Sequence, residues 1–354
     1  MNDKTDINPI PYLTWSWLKI NSDSVAYDFT LTENTGKDVQ IPDGVLVSNG
    51  KTVKTSLEEP KYSIGEQAAN LISDAAPQGK IYTIEKSTGD KPFIIRIAVD
   101  ANSATHQIIH AKAGVNAKVI IVYEGPSTGS GTPAISGIIT KVYAEDDANV
   151  HISKVQLCDG SVNQIDDTAV VCGERAKVTL TQIELGGSHI DAGFHATLAG
   201  YQSAFYSDTA YICQKNQYLD MNQIVVHKGK KTVCDMKTHG TAKDEATKTY
   251  RGTIDMVKGC AGSNGNEIET TLLLSPKAVV KAAPIILCGE EDIAAEHGSI
   301  IGKLSNEMLF YMNSRGIDQK TAEELLTCAK VTAAASAIED ESIRQEIDAF
   351  ISNN

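Results

Sequence analysis

Hydrophobic residues in the middle of this chain come in short β-branched runs rather than helical stripes. Between about residues 81 and 290 the runs are cut by Gly, Asn and Asp, as in AGVNAKVIIVY (113–123), DDANVHISKVQL (146–157) and CGERAKVTLTQIEL (172–185). No segment of helical period and convincing length intervenes. The three runs share an A-x-V entry at 117–119, 148–150 and 176–178, and KAVV repeats it at 278–280. The first three recur about every 30 residues, close to what a coil of several short strands consumes. The pattern therefore predicts a parallel β-solenoid over 81–302, with an antiparallel sandwich as the alternative.

Both flanks read differently. Residues 1–80 mix short apolar pieces with breakers such as IPDG (41–44) and AAPQG (75–79), a small irregular region in which Trp15, Trp17 and Leu18 are the expected packing anchor. After Ile301 the period becomes helical. Ser305 is placed to cap a helix carrying Met308, Leu309 and Met312 and stopped by Gly316. Asp318 caps a second helix with Leu325, Leu326, Ala329 and Ala333 on one face, and ESIRQEIDAFI makes a third amphipathic piece. Three regions are expected: 1–80, 81–302 and a helical 303–354.

Composition narrows the partners. With 354 residues, 42% hydrophobic, 22% charged, 6% aromatic and 27 glycines, the chain reads as an ordinary globular protein rich in strands and turns. A formal net charge of -13 argues against nucleic acid, whose binding needs a concentrated basic surface. The basic cluster HKGKK (His227–Lys231) reads as a solvated turn. There is no run of 18 apolar residues to cross a membrane and no signal-like start, so a cytoplasmic location is expected. Seven cysteines without a C-x-x-C pair suit reduced thiols better than a disulfide framework. From Asp318 onward, eight acidic side chains face three basic ones, which suits a solvated face or a basic partner.

Few residues carry candidate chemistry. EGPSTGSGTPAISG (124–137) is glycine-rich but lacks a following G-K-[ST] and a helix, so no nucleotide site is expected in this chain. The pairs His106/His110 and His189/His195 would each share a strand face, but without a nearby third ligand they read as surface or packed histidines. Asp166 and Asp167 would point to opposite faces of a strand and read better as turn residues than as a carboxylate pair. Cys288, Glu296 and His297 bring thiolate, carboxylate and imidazole within ten residues in a strand-turn-strand context. That donor set is compatible with a transient iron or iron-sulfur site, although on chemistry alone a buried Cys and a hydrogen-bonded His are the better account.

The run AAEHGSIIGKLSNEMLFYMNSRGI (294–317) resembles the signature of the SufB/SufD family of iron-sulfur cluster assembly proteins, a His-Gly or His-Glu step followed by F-Y-x-x-S-R-G-I or a near variant. TYRG (249–252), TTLLLS (270–275), KAAP (281–284) and LTWSWLKIN (13–21) are similar to the family's approach to that motif and its N-terminal tryptophan segment. The resemblance implies a right-handed parallel β-helix followed by a helical domain. It also implies assembly with SufC, an ABC-type ATPase that binds ATP in this chain's stead and docks on the C-terminal helices, where Phe310, Tyr311, Arg315, Leu325 and Leu326 are the expected contacts. A nascent cluster would form at the interface of two β-helix subunits, with a cysteine desulfurase as an indirect partner. His297 and Gly298 match the step of SufD-type members, whereas Glu296 matches SufB-type members. The SufB-type cluster cysteine falls at Ala278, so Cys288 is the candidate replacement, and Cys234 and Cys260 are candidate sulfur-handling thiols.

The expectation is a scaffold rather than an enzyme, the SufD-like partner of a SufB-like chain, carrying a transient iron-sulfur cluster or iron. A self-sufficient SufB-like homodimer is the alternative within the family. Outside it stand a purely structural module and a solenoid carbohydrate enzyme. The latter is disfavoured by scattered thiols and by the lack of a cluster of carboxylates and basic residues on one face.

Overall fold

The computed structural model describes residues 4–354 apart from 15, 28, 90, 100 and 126–133. Trp15 and most of the glycine-rich segment lie outside the described residues. From Lys80 to Gly302 successive strands alternate between two sheets, and among themselves they pair in parallel, each with the strand one coil away. This is a β-solenoid. The first sheet ends in Tyr218–His227, Thr247–Met256 and Val279–Cys288, and the second in Val233–Ala242, Ser263–Leu273 and Ile293–Gly302.

The corner from first to second sheet explains part of the repeat. In successive coils a non-glycine residue takes a left-handed conformation, with φ of 60° at Asp147, 53° at Arg175, 57° at Gln202 and 56° at Lys231. Each such residue donates its amide to the next coil's turn, Asp147 to Glu174, Arg175 to Tyr201, Gln202 to Lys230 and Lys231 to Ala261. These stacked bonds offset strain of about 1 kcal/mol or more per turn. The following residue must be small because it is buried at the bend, as Ala148, Ala176, Ser203 and Thr232 are. Only two of the four A-x-V entries, at 148 and 176, are therefore equivalent. In the first coil the bend residue is Val115, and Ala278 lies at the opposite corner.

Each sheet's outer face is covered by a different part of the chain. The N-terminal segment lies over the first sheet, where strands Thr5–Ile7 and Asp23–Val25 pair antiparallel and helix α1 (Glu66–Ala75) packs Ala68, Ala69 and Ile72 against Ala104, Ile139 and Ile165. Gly137 is required there, because a Cβ would stand 2.6 Å from Ile72. Trp17 and Leu18 do not anchor this segment, being 70% and 37% exposed; Ile7, Ile10, Ile20 and Val25 are the buried residues there.

Helices α2 (Asn306–Ser314), α3 (Gln319–Ala335) and α4 (Glu341–Asn353) follow the solenoid. Ser305, Asp318 and Asp340 accept the backbone N–H three residues on, as N-caps do, and Gly316 at φ 81° ends the first of these helices. Val331, Ala334, Ile343 and Ile347 of α3 and α4 bury the outer face of the second sheet through Ile120, Val155, Ile183 and Ile212. Helix α2 buries none of its own residues.

Candidate functional site

The solenoid ends in an uncovered coil. Strands Val279–Cys288 and Ile293–Gly302 are the last of their sheets, each ten residues long and unpaired on one side. Val279, Ile300 and Ile301 are 44, 58 and 46% exposed. Long apolar edge strands with free backbone groups are places where a further strand adds.

Register decides which side chains face the interior of this coil. His297 pairs with Glu267, which is fully buried inside the solenoid, so His297 faces inward; Glu296 pairs with Asn266 and faces out. The adjacent ligand candidates therefore lie on opposite faces of one strand. Cys288 closes the preceding strand beneath Met256, a core residue, and is itself exposed. Four strand positions separate Ile293, at the turn beyond Cys288, from His297, about 13 Å at the usual rise. Within one chain, thiol and imidazole share the inner side of the coil but do not meet.

Two columns of interior side chains run to this open end. The first follows the first-to-second-sheet corner in register: Cys172, Leu198, His227, Met256, Cys288. Cys234 joins it, with Sγ 3.2 Å from His227 Nε2, while His227 Nδ1 lies 2.7 Å from Thr232 Oγ1. Met256 Cε and Cys234 Sγ both lie within 3.3 Å of the point where Gly265 would carry a Cβ. Cys260 sits at the same corner, in the same core cluster. His227 is thus a buried strand end rather than part of a solvated turn. Burial holds its imidazole down to about 4 and pushes the Cys234 thiol up to about 12, so the pair rests neutral.

The second column is polar: Lys154, Gln182, Thr209, Thr238, Glu269 and Ser299 occupy one register line of the second sheet. Lys154 reaches Asp166 at 2.6 Å and Thr168 at 2.7 Å; Lys248 reaches Glu269 at 2.6 Å. Ser299 donates to Glu269 at 2.6 Å, which brings the column to the exposed coil two residues from His297. Beside it, burial raises the Glu267 carboxyl to about 8, and neither of its oxygens has a hydrogen-bond partner. Sequence reading missed Lys154, Lys248, Glu267 and Glu269. It also misplaced Asp166 and Asp167, which lie inside a strand, Asp166 facing inward on Lys154 and Asp167 outward on Ser63.

The helical candidates form a separate surface. Phe310 is 75% exposed, Tyr311 59% and Leu325 50%, Arg315 stacks over the Tyr311 ring at 5.4 Å, and Leu326 is half-buried. Leu326, Met308, Leu304 and His239 line an open groove between α2, α3 and the second sheet.

A family model described as "SUF system FeS cluster assembly, SufBD core domain" matches residues 94–330, spanning most of the solenoid and running into α3. The chain belongs to the SufBD family. Among curated SufBD proteins it is 25% identical to the iron-sulfur cluster assembly protein SufD of Bacillus subtilis, over 64% of this chain and 52% of that one. It is 24% identical to SufD of Escherichia coli, over 58% and 49%, and 24% identical to the chloroplastic SufBD family protein ABCI8 of Arabidopsis thaliana, over 54% and 36%. The chain spans about half the length of the two SufD relatives it matches. The β-solenoid with C-terminal helices expected from the sequence is the fold observed.

Thiol exposure gives a direct test of the placement. Among the described residues Cys288 is the one exposed thiol, Cys328 is partly covered, and Cys158, Cys172, Cys213, Cys234 and Cys260 are buried. Native-state alkylation followed by intact mass is expected to add one label at Cys288 first, with partly covered Cys328 slower. The buried five should react only on unfolding, since burial raises their thiols away from the reactive thiolate.

Proposed function

We propose that this SufBD protein is a scaffold subunit of iron-sulfur cluster assembly that works with a SufC-like ATPase, as the SufD-like partner of a SufB-like chain. The observation that carries this reading is the uncovered terminal coil, whose edge offers itself to a second solenoid and whose inner side holds His297 at the end of a buried polar column. In this reading iron and sulfide are cargo. His297 supplies an imidazole from one subunit, and the paired chain completes the ligand set across the joined edges. Catalysis of ATP hydrolysis belongs to the partner.

A second reading, the self-sufficient homodimer, is favoured by one specific observation, the exposed Cys288 on the same edge. Two-fold pairing would bring His297 and Cys288 from two copies to one interface although they stand apart within each. Anaerobic native mass spectrometry of the chain co-expressed with a SufC-like ATPase and supplied with iron and sulfide separates the two. A two-to-two complex carrying iron and sulfide masses supports the homodimer. A metal-free complex that fills only when a SufB-like chain is added supports the SufD-like role. No complex and no metal under either condition overturns both.

The docking surface for the ATPase is assigned to α2 and the adjoining face of α3, because Phe310, Tyr311, Met308 and Leu325 are apolar and exposed. Phe310→Ala and Tyr311→Ala together are expected to weaken capture of the ATPase by at least about tenfold, since buried aromatics act as binding hot spots of about 2 kcal/mol or more. Thermal stability of the chain alone should not move, because α2 buries none of its residues. Undiminished capture would place the docking surface elsewhere.

A further inference from the structure

Beneath the N-terminal segment, on the outer face of the first sheet, three side chains converge that the cluster-assembly reading does not use. His189 and Asp191 share a strand and, as alternate residues, a face. Asp23 reaches them from the strand Asp23–Val25 laid over the sheet. His189 Nε2 lies 3.0 Å from Asp23 Oδ2 and 3.4 Å from Asp191 Oδ2, and the ligating atoms of all three lie within 4.8 Å of one another. Tyr218 supports the group from the neighbouring strand, its hydroxyl 3.4 Å from Asp23 Oδ1 and its ring 4.4 Å from that of His189.

Hydrogen bonding within the triad is incomplete. Asp191 is fully buried, and neither of its carboxylate oxygens has a hydrogen-bond partner. The imidazole Nε2 carries at most one hydrogen, and Asp23 is its nearer acceptor. The nearby Arg251 guanidinium is committed to Asp220 and to the Ile20 carbonyl. One proton cannot serve two carboxylates at once, whereas a cation between them can.

Geometry and donor type both fit such an ion. First-row divalent metals hold nitrogen and oxygen ligands at about 2.0–2.2 Å. Ligands on such a shell stand about 3.0 Å apart in an octahedron and about 3.5 Å in a tetrahedron, close to the two short separations here. Imidazole with two carboxylates selects zinc, manganese or ferrous iron over the soft cuprous ion. Side-chain exposures of 26% for His189 and 16% for Asp23 leave an entry path. We infer that Asp23, His189 and Asp191 form a binding site for one divalent first-row metal ion, which fastens the N-terminal segment to the solenoid. This site is distinct from the terminal coil and does not rest on the cluster-assembly reading.

The test uses the full chain, stripped with a chelator, dialysed against Zn²⁺, Mn²⁺ or, anaerobically, Fe²⁺, and read by metal analysis, melting temperature and limited proteolysis. One ion per chain is expected from at least one of the three, with a higher melting temperature and slower cleavage of the first 30 residues. His189→Asn, Asp191→Asn and Asp23→Asn should each weaken binding at least about tenfold, as loss of metal-site residues does. Absence of stoichiometric metal, with a melting temperature indifferent to all three ions, would leave the triad an ion pair only and overturn the inference. So would undiminished binding in Asp23→Asn, a partly exposed position whose variant can be judged even if the other two fail to fold.

Discussion

Replacing His297 by alanine is expected to leave the chain folded and to remove iron and sulfide from the assembled complex. His297 is exposed on the terminal coil, so its loss should change stability by no more than about 0.5 kcal/mol, the usual range for surface substitutions away from special features. Its inward orientation beneath Glu267 nevertheless makes it the imidazole that a paired solenoid would meet. Loss of a ligand should lower loading at least about tenfold. Iron and acid-labile sulfide per complex, measured beside a urea midpoint, check both halves. Loading that survives in a complex of normal stoichiometry would reduce His297 to an interface contact. Cys288→Ala in the same assay separates a thiolate ligand, whose loss empties the complex, from a packing residue, whose loss does not.

Breaking the Lys248–Glu269 pair is expected to give the largest loss of stability. Both side chains are completely buried, 2.6 Å apart, with Thr271 and Ser299 donating to the same carboxylate. The rings of Tyr211 and Tyr250 flank the ammonium at 5.4 and 4.9 Å. Lys248→Met leaves the Glu269 carboxyl in the interior without its cation and should cost about 3–5 kcal/mol by urea denaturation. The double variant Lys248→Met/Glu269→Met removes both charges and should recover more than half of that loss, because well-packed apolar replacements of buried pairs are often near neutral. A single variant within 1 kcal/mol of the parent would show that the interior is wetter than the burial of these groups implies.

The strands were legible because turn residues punctuate β-branched runs, and the helical end because caps and stops are local signals. The interior was not. Alternation assigns charged residues to the outside, so Glu267 and Glu269, separated by the half-exposed Ile268, read as an outward pair when they are the inward one. Local polarity cannot reveal that Lys248 and Thr271 wait inside to receive Glu269. His189 was set aside for want of a third ligand within a few residues. Its partners are Asp191, two positions on, and Asp23, which is remote in sequence and is brought close only by the folding of the N-terminal segment across the sheet. His297 and Cys288 stood out by donor type and spacing, and the family motif pointed to His297, but their separation within one coil follows from register, which only the assembled solenoid supplies.

The two ends of the solenoid are unequal, and this sets how far self-association can proceed. At its beginning the sheets are closed by the four-residue strands Lys37–Gln40 and Val45–Ser48, which run antiparallel to their neighbours and break the repeat. Short, reversed edges are poor templates for further pairing. At its other end both sheets stop in ten-residue strands with nothing beyond them. A rod with one adhesive end joins another such rod head to head and has no second adhesive end to offer. Edge pairing of the kind proposed above would therefore stop at two solenoids, with no second such edge to extend them into a fibre.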